Sequence, residues 1–364
     1  MTTLPTADQQ TNENAVAERE EAQAISEAVK QHIAAVENSA IDDEEAEALL
    51  ASLYYDAGTM SALNPKAEAA ISRLRAYNAA PSPVWDRLPA RKRAAVLVLL
   101  YADRWGDLRV VITMRAATLR SFSGHAALPG GKADHVEETP YQIARREASE
   151  EIGLPMEDDK LPKPFRIEHL CCLPPSLART HLIVTPCVAF LHADQLNPGS
   201  PAPLVEDTMI PRLDAREVAA VFSAPFYNFL KEKDLPPPPG QTLPPGHWYD
   251  GSWIAWKDKP WRVHNFYVPV NNQKVAKPRR RSSAASAAAL AQDKLADKLN
   301  EEEEEGLSRF KVWGMTGRVL VDAARIAYQE EPEIEHNLHY GDEEIIAMAE
   351  EEGSFQDDKD KGKI

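Results

Sequence analysis

The chain has 364 residues, and 41 Lys plus Arg against 57 Asp plus Glu give a formal charge of −16, which argues against a binder of long nucleic acids. The excess lies at the ends: residues 1–50 hold 12 acids and 2 bases, and residues 341–364 hold 9 acids and 3 bases. No apolar run approaches the roughly 18 residues that span a bilayer, and the first 29 residues form neither a secretory leader nor an Arg-rich transit peptide, so no membrane role is expected.

In chain order, residues 1–60 read as an acidic, mostly disordered region, because their apolar content is too small for a core. Residues 61–90 form a helical lead-in and linker, with a short helix over 66–77 followed by Pro81, Pro83 and Pro89. The apolar runs 94–101 and 108–114 flank Trp105-Gly106-Asp107 and read as a hairpin. Residues 140–152 carry the best-marked helix. Thr139 suits the N-cap, Pro140 the first turn and Gln142 a capping box, while Gly153 and Pro155 stop it. Strands follow at 167–173 and 182–191, then a region with helical character at 217–230, then Trp-rich strands near 253–256 and 262–268, all read as parts of a mixed sheet. Residues 271–306, with Arg279 to Arg281 and Glu301 to Glu305, break the pattern as an insertion. A strand at 310–313 and a helix at 316–328 resume the fold before an acidic tail over 331–364. Cys171, Cys172 and Cys187 have neither a disulfide-framework count nor zinc spacing and read as packed thiols.

The helix at 140–152 breaks two local rules. Glu147, Glu150 and Glu151 stand at i, i+3 and i+4, so they share one sector of its surface. Like charges at that spacing cost about 0.2–0.5 kcal/mol per pair, and anions in the last turns oppose the helix dipole by roughly 0.3–1 kcal/mol each. A solvated surface helix, with Arg145 and Arg146 as counter-charges, is the plain explanation. A bound hard cation is the sharper one, because it reverses the sign of both terms. Gly130-Gly131 upstream can turn carbonyls toward such a cation, and oxygen donors without His or Cys select Mg²⁺ or Mn²⁺.

The stretch Gly131, Glu138 and Arg146-Glu147-Ala148-Ser149-Glu150-Glu151-Ile152-Gly153-Leu154 resembles the signature of the Nudix hydrolases. The glycine-to-glutamate spacing is six residues where the family usually has five, so Glu137 competes with Glu138 for that position, and Glu138 keeps the usual spacing to Arg146. Upstream, Val111-Ile112-Thr113-Met114-Arg115, Arg120, Gly124 and Leu128-Pro129-Gly130-Gly131 resemble the motif of the coenzyme A diphosphatase branch, its fungal peroxisomal members in particular. Ala116 and Leu128 depart from the usual Ser and Phe.

The resemblance implies an α/β fold over 91–330, a Nudix-type α/β/α sandwich with a mixed β-sheet, flanked by disordered acidic termini. It implies that Glu147, Glu150, Glu151 and the Gly131 carbonyl hold Mg²⁺ or Mn²⁺, that Arg146 orients the glutamates, and that Glu138 or the more distant Glu217 is a candidate base. Arg115 and Arg120, with Gly130 and Gly131, are expected to meet substrate phosphates; a surface ion pair is the competing role for either arginine. Trp253, Trp256, Trp261 and Trp313 read as packing residues before adenine stackers. The implied reaction splits coenzyme A or a derivative into 3′,5′-ADP and 4′-phosphopantetheine. The alternatives are a sanitiser of oxidised nucleotides and a non-catalytic nucleotide-binding module. The partner expected is a small molecule, coenzyme A or another nucleoside diphosphate derivative, bound by a monomer or homodimer. The ending Lys361-Gly362-Lys363-Ile364 is no Ser-Lys-Leu-type signal, so the expectation is cytoplasmic, with a peroxisomal setting from the resemblance.

Overall fold

The computed structural model describes residues 63–79, 83–115, 125–193, 203–210, 213, 218–238, 240–273, 275 and 309–355. The N-terminal acidic region, Arg120, Gly124, Glu217, residues 276–308 with most of the insertion, and residues 356–364 lie outside them.

Strands β1 (Arg93–Ala102), β2 (Leu108–Arg115), β3 (Ala126–Ala127), β4 (Gly130–Lys132), β5 (Phe165–Cys172), β6 (Ser176–Leu177), β7 (Ile183–Ala193) and β8 (Val218–Pro225) form one sheet. Its order is β3-β2-β1-β7-β5, with β4 on β1, β6 on β7 and β8 on β2. β1 and β7 run parallel and the remaining pairs antiparallel, which makes the sheet mixed. The 94–101 and 108–114 runs do form the expected hairpin, closed by Gly106 at φ 80°.

β1 and β7 are apolar on both faces, as strands covered from two sides must be. On one face Ala95, Leu97, Leu99 and Cys187 meet Ile143, Ala144, Ala148 and Ile152 of helix α2 (Pro140–Ile152). On the other, Val98, Leu100, Val188 and Phe190 join one core with Ile71 and Leu74 of α1 (Pro65–Ala76) and Leu320 and Ala324 of α3 (Gly314–Tyr328). The layering is the expected α/β/α sandwich. Helix α1 is thus part of the core rather than a linker element.

Three sequence expectations are corrected. Of the region expected at 217–230, residues 218–230 are strand β8 followed by a 3₁₀ turn at Tyr227–Leu230, because seven residues of β8 find a partner in β2 and tertiary pairing outweighs their Ala-rich helical propensity. The Trp-rich strands do not join the large sheet. β9 (Tyr249–Trp256), β10 (Lys259–Pro269) and β11 (Arg309–Trp313) form a separate antiparallel sheet, packed on α3.

The third correction concerns the acidic tail, whose residues 331–355 pack onto the fold. Helix α4 (Glu343–Glu351) buries Ile345, Ile346 and Ala349 in a small core with Trp261, Leu177 and Phe355. Polar bonds fix the segment before it. Asp342 accepts from Trp261 Nε1 at 3.0 Å and the Leu177 amide at 3.1 Å, and fully buried Arg318 donates to Gly341 O at 2.7 Å. A wire of bonds runs beneath: His264 Nε2 to His336 Nδ1 at 2.8 Å, and His336 Nε2 to Asp322 Oδ1 at 2.8 Å. Tyr249 Oη lies 3.1 Å from His264 Nδ1 and accepts from Arg262. Every bond is satisfied when both rings are neutral and each donates from Nε2.

Candidate functional site

The capping signals over 139–153 build α2 as expected. Thr139 Oγ1 accepts from the Gln142 amide at 3.3 Å, Gln142 Oε1 accepts from the Thr139 amide at 2.9 Å, and Gly153 ends the helix at φ 67°. α2 packs across β1 and β4, so its glutamate-bearing edge faces the Gly130-Gly131 strand. β4 lies tight against β1, with Val96 opposite Gly130 and Ala95 opposite Gly131.

The two glycines are required for different reasons. A Cβ at Gly130 would fall 2.3 Å from Ala95 O and 2.6 Å from Val96 Cα, both backbone, and its φ is 156°. A Cβ at Gly131 would fall 2.4 Å from the Glu147 carboxyl carbon. The space a side chain would take at 131 is therefore occupied by a carboxylate. Gly130 N donates to Glu151 Oε2 at 3.2 Å, so both glutamates reach the glycine strand.

Arg146 sits among the carboxylates. Its Nε donates to Glu138 Oε1 at 2.9 Å, its Nη1 to Glu147 Oε1 at 3.1 Å and Glu150 Oε1 at 3.4 Å, and its Nη2 to Lys132 O at 2.7 Å. Glu138 Oε2 accepts from the Asp134 amide at 2.7 Å. Burial alone would raise the Glu138 carboxyl, but the bonds from Arg146 and the Asp134 and His135 amides outweigh it and hold it below the usual carboxylate range. Glu147 is buried enough that its carboxyl is pushed up despite Arg146. Its side chain is 18% exposed, against 49% for Glu150.

The structure brings together Gly130, Gly131, Glu138, Arg146, Glu147, Glu150 and Glu151. It does not gather the glutamate oxygens at one point: those of Glu138, Glu147 and Glu150 surround the Arg146 guanidinium, while Glu151 Oε2 meets the Gly130 amide. Among the described residues, the close three-ligand grouping is instead His169, Cys172 and Cys187. Arg145 is no counter-charge to the glutamates: it turns the other way, donating to Pro155 O, Met156 O and Asp158. Arg115 ends β2, and its buried Nε has no hydrogen-bond partner among the described residues. Arg120 and Glu217 lie outside the described residues.

Sequence reasoning missed Asp134, whose carboxylate lies 3.6 Å from Arg146, and Arg93, which donates to Val136 O at 2.7 Å and fixes the loop bearing Glu138. No sequence signal marks Arg93, because its partners are backbone carbonyls at Leu88, Asp86 and Val136.

Residues 91–173 match the family model described as NUDIX domain. The chain is 31% identical over 265 residues to peroxisomal coenzyme A diphosphatase 1 of Saccharomyces cerevisiae, covering 68% of this chain and 71% of that protein. The chain belongs to the Nudix hydrolases. It is also 29% identical over 252 residues to the chloroplastic Nudix hydrolase 22 of Arabidopsis thaliana, covering 68% of this chain and 61% of that protein. A peroxisomal coenzyme A diphosphatase of Mus musculus is 34% identical over 137 residues, 37% of this chain and 48% of that protein. Nudix hydrolases act on diphosphate bonds of small molecules and generally use divalent metal ions. Among the described residues no helix is long and apolar enough to cross a membrane.

Proposed function

We propose that this Nudix hydrolase cleaves the pyrophosphate bond of coenzyme A or a derivative, releasing 3′,5′-ADP and 4′-phosphopantetheine. The observation that carries the site is the meeting of Gly131 and Glu147, where the missing Cβ leaves room for a carboxylate beside the glycine strand. Likeness to two coenzyme A diphosphatases supports the substrate.

The donor set fits a hard divalent cation. It is all oxygen, and a Cβ would fill the cradle that holds Glu147. Glu147, Glu150, Glu151 and the Gly131 carbonyl would hold Mg²⁺ or Mn²⁺, which supplies charge neutralisation at the pyrophosphate and acidifies water. Glu138 accepts on both oxygens and its lowered pKa makes it a weaker base, so we assign it to positioning Arg146 rather than to proton abstraction. Arg146 in turn spaces the glutamates. The Nε of Arg115, unpartnered among the described residues, supports its contact with a substrate phosphate, whose oxygens suit a guanidinium fork. The hydrolase unit is proposed as residues 91–330 together with α1 and the 331–355 segment that pack with them, and the setting as cytosolic or peroxisomal.

Steady-state kcat/KM for coenzyme A and for 8-oxo-dGTP, with products identified, tests the substrate. A preference for coenzyme A is expected. A large preference for the nucleotide would replace this reading with a sanitising role, and inactivity on both with Mg²⁺ and Mn²⁺ would favour a binding module.

The adjacent glycines should separate fold from activity. Gly130→Ala pushes backbone against backbone at a φ that side chains resist, and is expected to cost on the order of 3 kcal/mol in urea unfolding. Gly131→Ala displaces only the mobile end of Glu147, so unfolding should change by less than about 1 kcal/mol while diphosphate hydrolysis falls at least about tenfold. Equal losses of stability in the two variants would contradict this assignment.

A further inference from the structure

The three cysteines, which sequence spacing leaves as packing residues, are divided by the strands. Cys171 faces the core shared with α1 and α3, while Cys172 and Cys187 face α2. Cys172 and Cys187 are register partners on β5 and β7, with sulfurs 3.6 Å apart and no disulfide between them.

His169 completes the group through a fault in the ladder. In a regular strand residues three apart point to opposite faces. Between His169 and Cys171 the register slips, so that two residues of β5 oppose one of β7. This bulge turns His169 and Cys172 to the same face, and His169 Nε2 stands 3.7 Å from Cys172 Sγ. The imidazole is held there by stacking on Tyr141 of α2, ring centroids 4.0 Å apart. Hydrogen bonds from the Cys187 thiol and His169 lower the Cys172 thiol pKa against the effect of burial.

We propose that His169, Cys172 and Cys187 form a binding site for a thiophilic cation, Zn²⁺ foremost, separate from the carboxylate cluster. A tetrahedral zinc with Zn–S of about 2.3 Å and Zn–N of about 2.0 Å has ligand separations of about 3.8 Å between sulfurs and about 3.5 Å between sulfur and nitrogen. The two contacts of 3.6 and 3.7 Å match these, and all three ligand atoms lie within 4.8 Å of one another. Two soft sulfurs and an imidazole discriminate against Mg²⁺ as the oxygens of the other cluster discriminate for it. Cys187 is buried, Cys172 half-buried and His169 exposed, so the site is closed beneath and open above, which leaves a fourth position for water. Binding requires both sulfurs as thiolates and so is coupled to loss of thiol protons.

The test is a Co²⁺ titration of the full chain kept reduced with a phosphine. At one equivalent a thiolate-to-cobalt charge-transfer band should appear with the visible bands of a tetrahedral ion, and Zn²⁺ should displace it. Carboxylates give no sulfur band, so metal in the glutamate cluster does not interfere. Cys172→Ser and His169→Ala should each weaken binding by more than about tenfold, and the melting point gained on adding Zn²⁺ should shrink in both. Cys171→Ser, on the opposite face, should bind as the parent does. A missing sulfur band, or one that survives in Cys172→Ser, overturns the proposal. Both variants alter partly exposed side chains, and circular dichroism verifies that they fold.

Discussion

Glu151→Gln is expected to lower kcat/KM for the diphosphate substrate by on the order of 10³-fold with the fold intact. Gln keeps an acceptor oxygen for the Gly130 amide, which Glu151 now engages at 3.2 Å, so the contact to the glycine strand survives. What disappears is the negative charge that the proposed divalent-cation site at the end of α2 requires. Lewis-acid stabilisation is worth several kcal/mol, and each 1.36 kcal/mol is a factor of ten. Kinetics beside a thermal melt measure both halves. Near-normal turnover would remove Glu151 from the metal-holding set.

Acidification should unlock the histidine wire under the second sheet. Burial, then the neighbouring His336, Arg262 and Arg318, lower the His264 pKa to about 2, and burial lowers that of His336 as well. Physically, a proton added at either Nδ1 would meet a donor already pointing at it. A histidine depressed in the folded state leaves stability intact above its unfolded pKa of about 6.5. As pH falls below that, the unfolded chain takes up a proton that the folded chain refuses, and stability drops by about 1.4 kcal/mol per pH unit. Buried Asp103, raised to about 6, and Asp342, also raised by burial, act in the opposite sense over the same range. The clean readout is therefore the difference between the parent and His264→Gln, which lacks the titration. The parent's advantage at pH 7 should shrink by on the order of 3 kcal/mol by pH 4.5 in urea unfolding. A difference independent of pH would refute the account.

The elements that were legible in the sequence are those specified locally. α2 is written in its caps, and its unfavourable trio Glu147, Glu150 and Glu151 is visible from i, i+3, i+4 spacing alone. The glycine strand beside it was legible through the family motif. β8 was not, because Val218–Pro225 is Ala-rich and becomes a strand only when β2 supplies its partner. The end of the chain was misread by composition: acids outnumber bases there, yet Ile345, Ile346 and Ala349 form a stripe that an overall count conceals. Direction was also invisible. Arg145 and Arg146 are neighbours in sequence, and one rotation step on the helix sends the first to Asp158 and the second to Glu138. The Cys172–Cys187 pairing depends on strand register and on a bulge, and neither leaves a spacing to read.

β10 and β11 are adjacent in the second sheet, and the last ladder pair, Pro269 with Arg309, closes where the chain leaves one strand and returns in the other. Whatever segment joins residue 275 to residue 309 therefore connects two register-paired strand ends and closes a loop between them. Loop closure grows only as about (3/2)RT ln n, so lengthening or shortening it changes stability little. That makes this position a port for variation: lineages can add, lose or exchange sequence here, and an experimenter can graft a reporter, without touching the register on which the rest of the molecule depends.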